Sequence, residues 1–166
     1  KLVYLSLGSL GSADVELMRK LVEELAASPH RFVVSKGPQH DLFELAENMT
    51  GAEFLPQASI LPSVDLVVTH GGNNTVTESF FFGKPMVVLP LFWDQYDNAQ
   101  RVHELRYGTR LDTYGHAPDE LLGAIDRLLA DELLAERLGR ISARLHADPG
   151  TVEAADLVER VAARAT

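Results

Sequence analysis

A group of polar residues follows an apolar run near the middle of the chain. The run Asp65–Thr69 has the β-branched composition of a buried strand, and His70, Gly71 and Gly72 come directly after it. A helical pattern begins next and carries a carboxylate, Glu78. A strand that passes through glycines into a helix exposes backbone N–H groups and the positive end of the helix dipole, which favour a phosphate. These residues therefore predict a nucleotide-phosphate site built without Lys or Arg.

His70 stands at the mouth of this predicted site. Its imidazole can donate a hydrogen bond to a phosphate oxygen, and it adds positive charge when it is protonated. The alternative is a strand-end histidine that bonds only to backbone. The glycines and the helix start that follow favour the ligand role.

The residues after the glycines, Asn73, Asn74 and Thr75, lie where the next helix would begin. Each of them is a good helix cap, and we expect one of them to be the N-cap. Thr75 and Glu78 also have the spacing of a capping box, in which the carboxylate bonds back to the start of the helix. In the other interpretation, the Glu78 carboxylate accepts two hydrogen bonds from a ribose diol. The residues alone leave both roles open.

A second polar pair, Asp94 and Gln95, follows the apolar segment Leu89–Trp93. The pair has the side chains to bind vicinal hydroxyls of a sugar, or Asp94 caps the helix that starts near Gln95. Phe92 and Trp93 beside them are either an apolar wall of the site or core residues.

Two further segments are candidates for ligand contacts. Gly8–Ser12 joins the first predicted strand to a helix, and its glycines let the backbone approach a phosphate, with Ser9 close by. The alternative is a tight turn with Ser12 as N-cap. Phe54 belongs to the predicted end of the third strand, where its ring either fills the core or stacks on a base.

Short apolar runs that alternate with helical patterns position all of these residues. The predicted strands are Leu2–Leu7, Phe32–Ser35, Glu53–Leu55, Leu66–Thr69, Met86–Leu89 and Thr109–Leu111. The predicted helices are Asp14–Ala27, Thr75–Phe82, Gln95–Leu105, and two or three pieces from Pro118 onward with a break at Asp148–Gly150.

This alternation predicts an α/β fold. We expect a Rossmann-like, doubly wound parallel sheet of six strands with helices on both faces. In such sheets ligands bind in the crevice beyond the carboxyl ends of the strands, where the candidate residues lie in the sequence.

Length, charge and composition narrow the function classes. The 166 residues fit one domain, and a net charge of −9 argues against nucleic acid or an anionic membrane as a partner. The absence of cysteine excludes disulfides and Cys-ligated zinc, and no apolar run is long enough to span a membrane. The chain begins at Lys1 inside a predicted strand, so we expect residues 1–166 to be an excised domain of a longer, cytoplasmic protein.

Taken together, the motifs resemble the donor-binding signature of the UGT-type inverting glycosyltransferases, which have the two-domain GT-B architecture. That signature consists of aromatic-x-x-Gln, His-x-Gly-x-Asn-Ser/Thr-x-x-Glu and Pro-x-x-x-Asp-Gln elements. The corresponding segments here are Phe54–Gln57, His70–Glu78 and Pro90–Gln95. The first separation is two residues shorter than in the plant form, and Gly71 and Asn73 replace Cys and Trp. The resemblance therefore indicates a bacterial or divergent branch, similar to antibiotic glycosyltransferases.

The resemblance implies a role for each matching residue of a UDP- or TDP-sugar site. Phe54 would stack on the base, Gln57 would lie near base and ribose, and Glu78 would hold the ribose hydroxyls. The diphosphate would be bound by Ser9, His70, Asn74 and Thr75 around the turn at Gly72. Asp94 and Gln95 would contact the transferred sugar.

The resemblance also implies what this chain lacks. Family members need no metal and no cofactor, and their general base is a His of the N-terminal, acceptor-binding domain. We therefore expect no catalytic residue in this chain, and we expect it to bind donor without transferring sugar to the small lipophilic acceptor on its own. Alternatives are the nucleotide-sugar-binding subunit of a bipartite transferase, an epimerase of the same fold, and a Rossmann-like domain with well-capped helices. Against the epimerase, the chain offers no acid/base pair.

Overall fold

The computed structural model describes residues 1–148 and 150–164, and within them six parallel strands form one sheet. The strands are β1 (Leu2–Ser6), β2 (Arg31–Ser35), β3 (Met49–Ala52), β4 (Leu66–Thr69), β5 (Met86–Val88) and β6 (Gly108–Arg110). Their order across the sheet is β3-β2-β1-β4-β5-β6. From β1 the strands are added first toward one edge of the sheet (β2, β3) and then toward the other (β4, β5, β6). The strand order therefore reverses at the β1–β4 pair, which confirms the predicted doubly wound sheet.

Helices connect and cover the strands. They are α1 (Gly8–Gly11), α2 (Val15–Ala26), α3 (Gln57–Ile60), α4 (Asn73–Phe81), α5 (Gln95–Glu104), α6 (Pro118–Ala130), α7 (Glu132–Ala147) and α8 (Gly150–Arg164). The predicted break in the C-terminal region is confirmed, because α7 ends at Ala147 and α8 begins at Gly150.

Alternate residues of the strands build two hydrophobic layers. Val3 and Leu5 belong to one layer, which is completed by α2 and α6. Tyr4 and Val67 belong to the other, which is completed by residues of α5 and partly by α4. Because strand side chains point alternately to opposite faces, both faces are covered, as the apolar strand composition predicted.

The third strand was predicted in the wrong place. The sequence favours Glu53–Leu55, whereas β3 is Met49–Ala52 and pairs with β2 through the register Phe32↔Met49. β3 is an edge strand with mostly exposed residues, so it carries almost no apolar signal. The chain leaves the sheet before Phe54, which lies in the following loop.

The cap of the first long helix also differs from the prediction. Asp14 is the N-cap of α2, and its Oδ1 accepts a hydrogen bond from the Leu17 amide at 3.0 Å. Ser12, the predicted cap, is buried, and its hydroxyl donates to the Ser35 carbonyl at 3.4 Å. The reason is the extra helical turn α1, which moves the start of α2 beyond Ser12.

The described residues of α8 after Gly150 leave an apolar face uncovered. Its exposed apolar side chains include Val152, Leu157, Val158 and Val161. None of the helices in residues 1–148 and 150–164 combines the length and apolar character that crossing a bilayer requires.

Candidate functional site

A cavity of ≈ 640 Å³ opens where the carboxyl ends of β1, β2, β4 and β5 meet. All but one of the predicted site residues line it, namely Ser9, Phe54, Gln57, His70, Gly72, Asn74, Thr75, Asp94 and Gln95. The remaining one, Glu78, joins the site through a hydrogen bond to Gln57. The sheet therefore brings segments that are far apart in the chain to one crevice, as the doubly wound topology requires.

The imidazole of His70 lies between two glycines. A Cβ atom at Gly72 would stand 2.6 Å from Nε2, and one at Gly8 would stand 2.9 Å from the same atom. Both separations are too short for real atoms. The glycines therefore make room for the histidine ring, in addition to exposing backbone.

Burial controls the protonation of His70. The half-buried ring has a lowered pKa because burial disfavours the imidazolium, and the hydrogen bond to the Ser6 backbone and the negative charge of Asp94 oppose this only in part. At neutral pH the ring is therefore neutral.

The turn before α4 is packed tightly. Gly71 has a φ of +87°, and a Cβ there would lie 2.8 Å from Cγ1 of Val88. Its amide donates to Oγ1 of Thr69 at 3.2 Å. This left-handed conformation is one that glycine adopts without strain, so the residue type at this position follows from the turn.

The N-cap of α4 is Gly72, so the expectation that Asn73, Asn74 or Thr75 would cap the helix is wrong. The helix begins earlier than the sequence pattern indicated, and Asn73 and Asn74 form its exposed first residues. Since glycine has no side chain to offer the first-turn amides, those N–H groups are available to an anion in the cavity.

Glu78 is held by Gln57, and the capping-box alternative is wrong. Gln57 Nε2 donates to Glu78 Oε2 at 2.7 Å and to Thr75 Oγ1 at 3.3 Å. Thr75 is the third residue of α4, so it cannot be the cap that a capping box requires. The carboxylate is half-buried and bonds to Gln57, which lines the cavity, and the ribose interpretation stays a prediction.

The loop after β5 is organised by Gln95. This buried side chain accepts hydrogen bonds at Oε1 from the amides of Leu91 and Phe92, at 3.0 Å and 3.1 Å. Gln95 thus shapes the loop as well as lining the cavity. Asp94 is exposed at the N-cap position of α5, and its Oδ2 accepts from Asn98 Nδ2 at 3.3 Å.

The aromatic residues of the site are walls and not core. Phe54 is 58% exposed and Trp93 is 77% exposed, and both line the cavity. Phe92 meets Trp93 edge to face, with 4.9 Å between ring centroids. Trp93 also has a φ of +55°, a strained backbone conformation for a bulky residue.

Sequence reasoning missed four residues of this region. Ser35 and Gly37 line the cavity at the end of β2, and their place after a predicted strand was a usable signal. Tyr4 lies inside β1, where burial raises the pKa of its hydroxyl, which bonds to Ser6 and Ser35. Asn98 lies inside α5. Neither Tyr4 nor Asn98 stands at an element boundary, so the pattern gave no indication of them.

The described part of the chain offers no group of side chains suited to a metal ion. Residues 1–148 and 150–164 contain no cluster of three or more His, Cys, Asp or Glu arranged to hold a metal ion. That an anionic ligand binds here without metal stays a prediction.

Comparison with known proteins decides the family. A family model described as "UDP-glucoronosyl and UDP-glucosyl transferase" matches residues 1–158. The chain belongs to this family. The match confirms the family that the sequence motifs predicted.

Relatives of this chain include two named glycosyltransferases of Streptomyces species. Oleandomycin glycosyltransferase of Streptomyces antibioticus is 32% identical over 163 residues, which cover 96% of this chain and 38% of that protein. Demethyllactenocin mycarosyltransferase of Streptomyces fradiae is 30% identical over 161 residues, which cover 95% of this chain and 35% of that protein. The chain thus spans well under half the length of these relatives.

Solved structures show the same fold. The glycotransferase of kitacinnamycin superposes with a TM-score of 0.88 at 37% identity, covering 96% of this chain and 42% of that one. The calicheamicin glycosyltransferase superposes with a TM-score of 0.87 at 29% identity, covering 99% and 44%. These superpositions confirm the predicted fold class.

Proposed function

We propose that this chain is the donor-binding part of a glycosyltransferase and binds a uridine or thymidine diphosphate sugar. The observation that carries the proposal is the cavity at the strand ends, where the His70 ring, the uncapped start of α4 and the Glu78–Gln57 pair lie together. The His70 ring and the start of α4 match the diphosphate of such a ligand, and the Glu78–Gln57 pair matches its ribose.

The groups divide along the ligand. Phe54 stacks on the base, and Glu78 accepts hydrogen bonds from the ribose, with Gln57 beside it. Ser9, His70, Asn74 and Thr75 surround the diphosphate together with the first-turn amides of α4. Asp94 contacts the sugar, next to Gln95.

The same diphosphate contacts would assist the reaction. In glycosyl transfer with inversion, the bond between the anomeric carbon and the diphosphate oxygen breaks as the acceptor attacks from the opposite side. Negative charge then grows on the leaving diphosphate. Hydrogen-bond donors and a helix N-terminus already aimed at that charge stabilise the transition state, without a metal ion.

A further domain completes the enzyme in this proposal. The chain spans 35% and 38% of two relatives, and α8 has an uncovered apolar face that includes Val158 and Val161. We assign the general base and most of the acceptor pocket to an N-terminal domain of the same protein. The cytoplasmic location and the extent of the domain stay predictions.

The acceptor is proposed to be a small lipophilic molecule. Two observations favour this class: relatives carry the names of the antibiotics oleandomycin and kitacinnamycin, and the exposed apolar side chains of Leu10 and Trp93 line the cavity. Sugar transfer to such an acceptor by residues 1–166 alone would overturn the assignment of the base to another domain.

Thermal unfolding with added nucleotide tests the donor site. A ligand that binds only the folded state at about 100 times its Kd stabilises by about 2.7 kcal/mol, so UDP or TDP should raise Tm by several degrees. Calorimetric titration then measures Kd, with and without a chelator. His70→Ala should weaken nucleoside diphosphate binding more than nucleoside binding. The absence of any shift with millimolar UDP, TDP and their sugars would refute the proposal.

A further inference from the structure

Asn98, in α5, makes hydrogen bonds to three residues of the proposed site. Its side-chain Nδ2 donates to the Gly71 carbonyl at 2.9 Å, to Asn73 Oδ1 at 2.9 Å and to Asp94 Oδ2 at 3.3 Å. The side chain is half-buried. The two N–H bonds of one amide group are thus shared among three acceptors.

The three acceptors come from two separate segments of the site. Gly71 lies in the turn after β4 and Asn73 is the first residue of α4, whereas Asp94 lies in the loop that leads from β5 into α5. The segments are in close contact, since a Cβ at Gly71 would lie 3.3 Å from the Gln95 carbonyl oxygen. Asn98 is therefore a hydrogen-bonded link between the diphosphate turn and the sugar loop.

The chemistry at this position requires a donor. A carbonyl oxygen, an amide oxygen and a carboxylate oxygen all face Nδ2, and none of them can donate. An aspartate at position 98 would have nearly the same shape, but it would place a fourth acceptor among the three. The Asp94 carboxylate is the charged acceptor of the three, so its hydrogen bond is charge-assisted, although at 3.3 Å it is also the longest.

We propose that Asn98 is a positioning residue, which sets the Asp94 carboxylate at a fixed place relative to the diphosphate turn. The inference rests on the proposed function, because it needs a ligand that reaches both segments at once. A nucleotide sugar does so, whereas a nucleoside diphosphate contacts only the turn. Loss of Asn98 should then weaken binding of the sugar-bearing ligand more than binding of the nucleotide.

The experiment measures Kd by calorimetry for UDP and UDP-glucose, with TDP and TDP-glucose in parallel. The variants are Asn98→Ala, Asn98→Asp, Asp94→Asn and the exchange that combines the last two. The exchange restores one donor opposite one acceptor, and Asp94→Asn alone measures the loss of the Asp94 sugar contact. Gln100→Ala is the matched control, since this amide of α5 bonds to Glu104 and Arg110 at 2.8 Å and 2.9 Å. Amide hydrogen exchange of the Gly71–Asn73 segment is recorded without ligand.

The expected result is a change in the ratio of the two affinities. Asn98→Ala and Asn98→Asp should weaken the nucleotide sugar about tenfold relative to the nucleotide, as the loss of a charge-assisted hydrogen bond implies. The exchange variant should lose less than the sum of the losses in Asn98→Asp and Asp94→Asn, and Gln100→Ala should leave the ratio unchanged. Amides of the turn should exchange faster in Asn98→Ala.

Different failures have different meanings. Equal weakening of nucleotide and nucleotide sugar would overturn the positioning role. So would an exchange variant whose loss equals the sum of the losses of its two single variants. If Asn98→Ala is unfolded at the assay temperature, the comparison of the exchange variant with its two single variants decides the point. A wild-type chain that binds none of the four ligands would instead refute the proposed donor site.

Discussion

The contact between His70 and its two flanking glycines dominates the site at the scale of single residues. Gly72 has φ −63° and ψ 144°, a conformation that any residue can adopt. Its lack of a side chain matters only because the His70 ring occupies the space. Gly8, by contrast, has a φ of +69°, so a substitution there would add backbone strain to the same clash.

Gly72→Ala is expected to weaken nucleoside diphosphate binding by about tenfold or more, because the new Cβ displaces the imidazole, which lies 2.6 Å away. Calorimetric titration with UDP measures the loss. Gly139→Ala is the control, since a Cβ there meets nothing within 4 Å. If Gly72→Ala binds UDP as the wild type does, the ring is not confined in the way the distances indicate.

The lowered pKa of His70 predicts two pH effects of opposite sign. In the folded protein the pKa is below the usual 6.5, so the unfolded chain binds more protons between these values and stability falls as pH drops through them. A bound diphosphate raises the pKa of His70, so UDP binding takes up a proton and strengthens in the same window.

Titration calorimetry in buffers of different ionisation enthalpy measures that proton uptake. His70→Gln should abolish it and should also flatten the acid limb of the stability curve. UDP binding without proton uptake between about pH 5.5 and 7.5, around the ordinary pKa of imidazole, would contradict the prediction.

At the scale of elements, the short helix α3 positions the start of α4. Gln57 is the first residue of α3 and bonds to Thr75 and Glu78 of α4. The bond at 2.7 Å orients the Glu78 carboxylate, whose second oxygen is left for a ligand hydroxyl. A helix of one turn thus determines where a carboxylate of its neighbour points.

Glu78→Ala is expected to weaken UDP about tenfold, because a carboxylate that accepts from the ribose hydroxyls is removed. The loss should be smaller for 2′-deoxy-UDP, which lacks one of these hydroxyls. Competition titration with the two nucleotides measures the difference. Glu136→Ala, an exposed carboxylate of α7, is the matched control. Equal losses for both nucleotides would place Glu78 outside ribose binding.

At the scale of the whole molecule, an acidic protein binds an anionic ligand in this proposal. The net charge of −9 repels a nucleoside diphosphate at long range, whereas the dipole of α4 and the amides act only at short range. The ligand is therefore repelled by the protein at long range and attracted by the site at short range.

Added salt should consequently speed the association of UDP with the protein. Raising ionic strength from about 0.01 M to 0.15 M shortens the Debye length from about 30 Å to 8 Å, which screens the overall repulsion before the local contacts. Stopped-flow measurement of the association rate checks this, with uridine as the uncharged control. A rate that falls steeply with salt would indicate a basic approach path, against the distribution of charge in the sequence.

Much of this architecture could be predicted from the sequence, and the failures have physical causes. The central strands were located because burial on both faces makes them continuous apolar runs. β3 was misplaced because an edge strand of exposed residues lacks that signal. The caps of α2 and α4 were predicted wrongly because each depends on the turn before the helix. The α1 turn packs against Leu91, and the Gly71–Gly72 turn packs against Val88 and His70. Local sequence patterns do not contain these contacts.

The sequence by itself determined the fold class, the family and most of the residues that line the cavity, because residue types and short-range spacing encode all three. Only the tertiary structure decided how those side chains are held. It clamped His70 between Gly8 and Gly72, turned Glu78 toward Gln57, and linked Asp94 to the turn at Gly71 through Asn98. Apart from the contact between His70 and Gly72, these contacts join residues from different connections of the sheet. Packing of the sheet brings such residues together regardless of their separation in the chain.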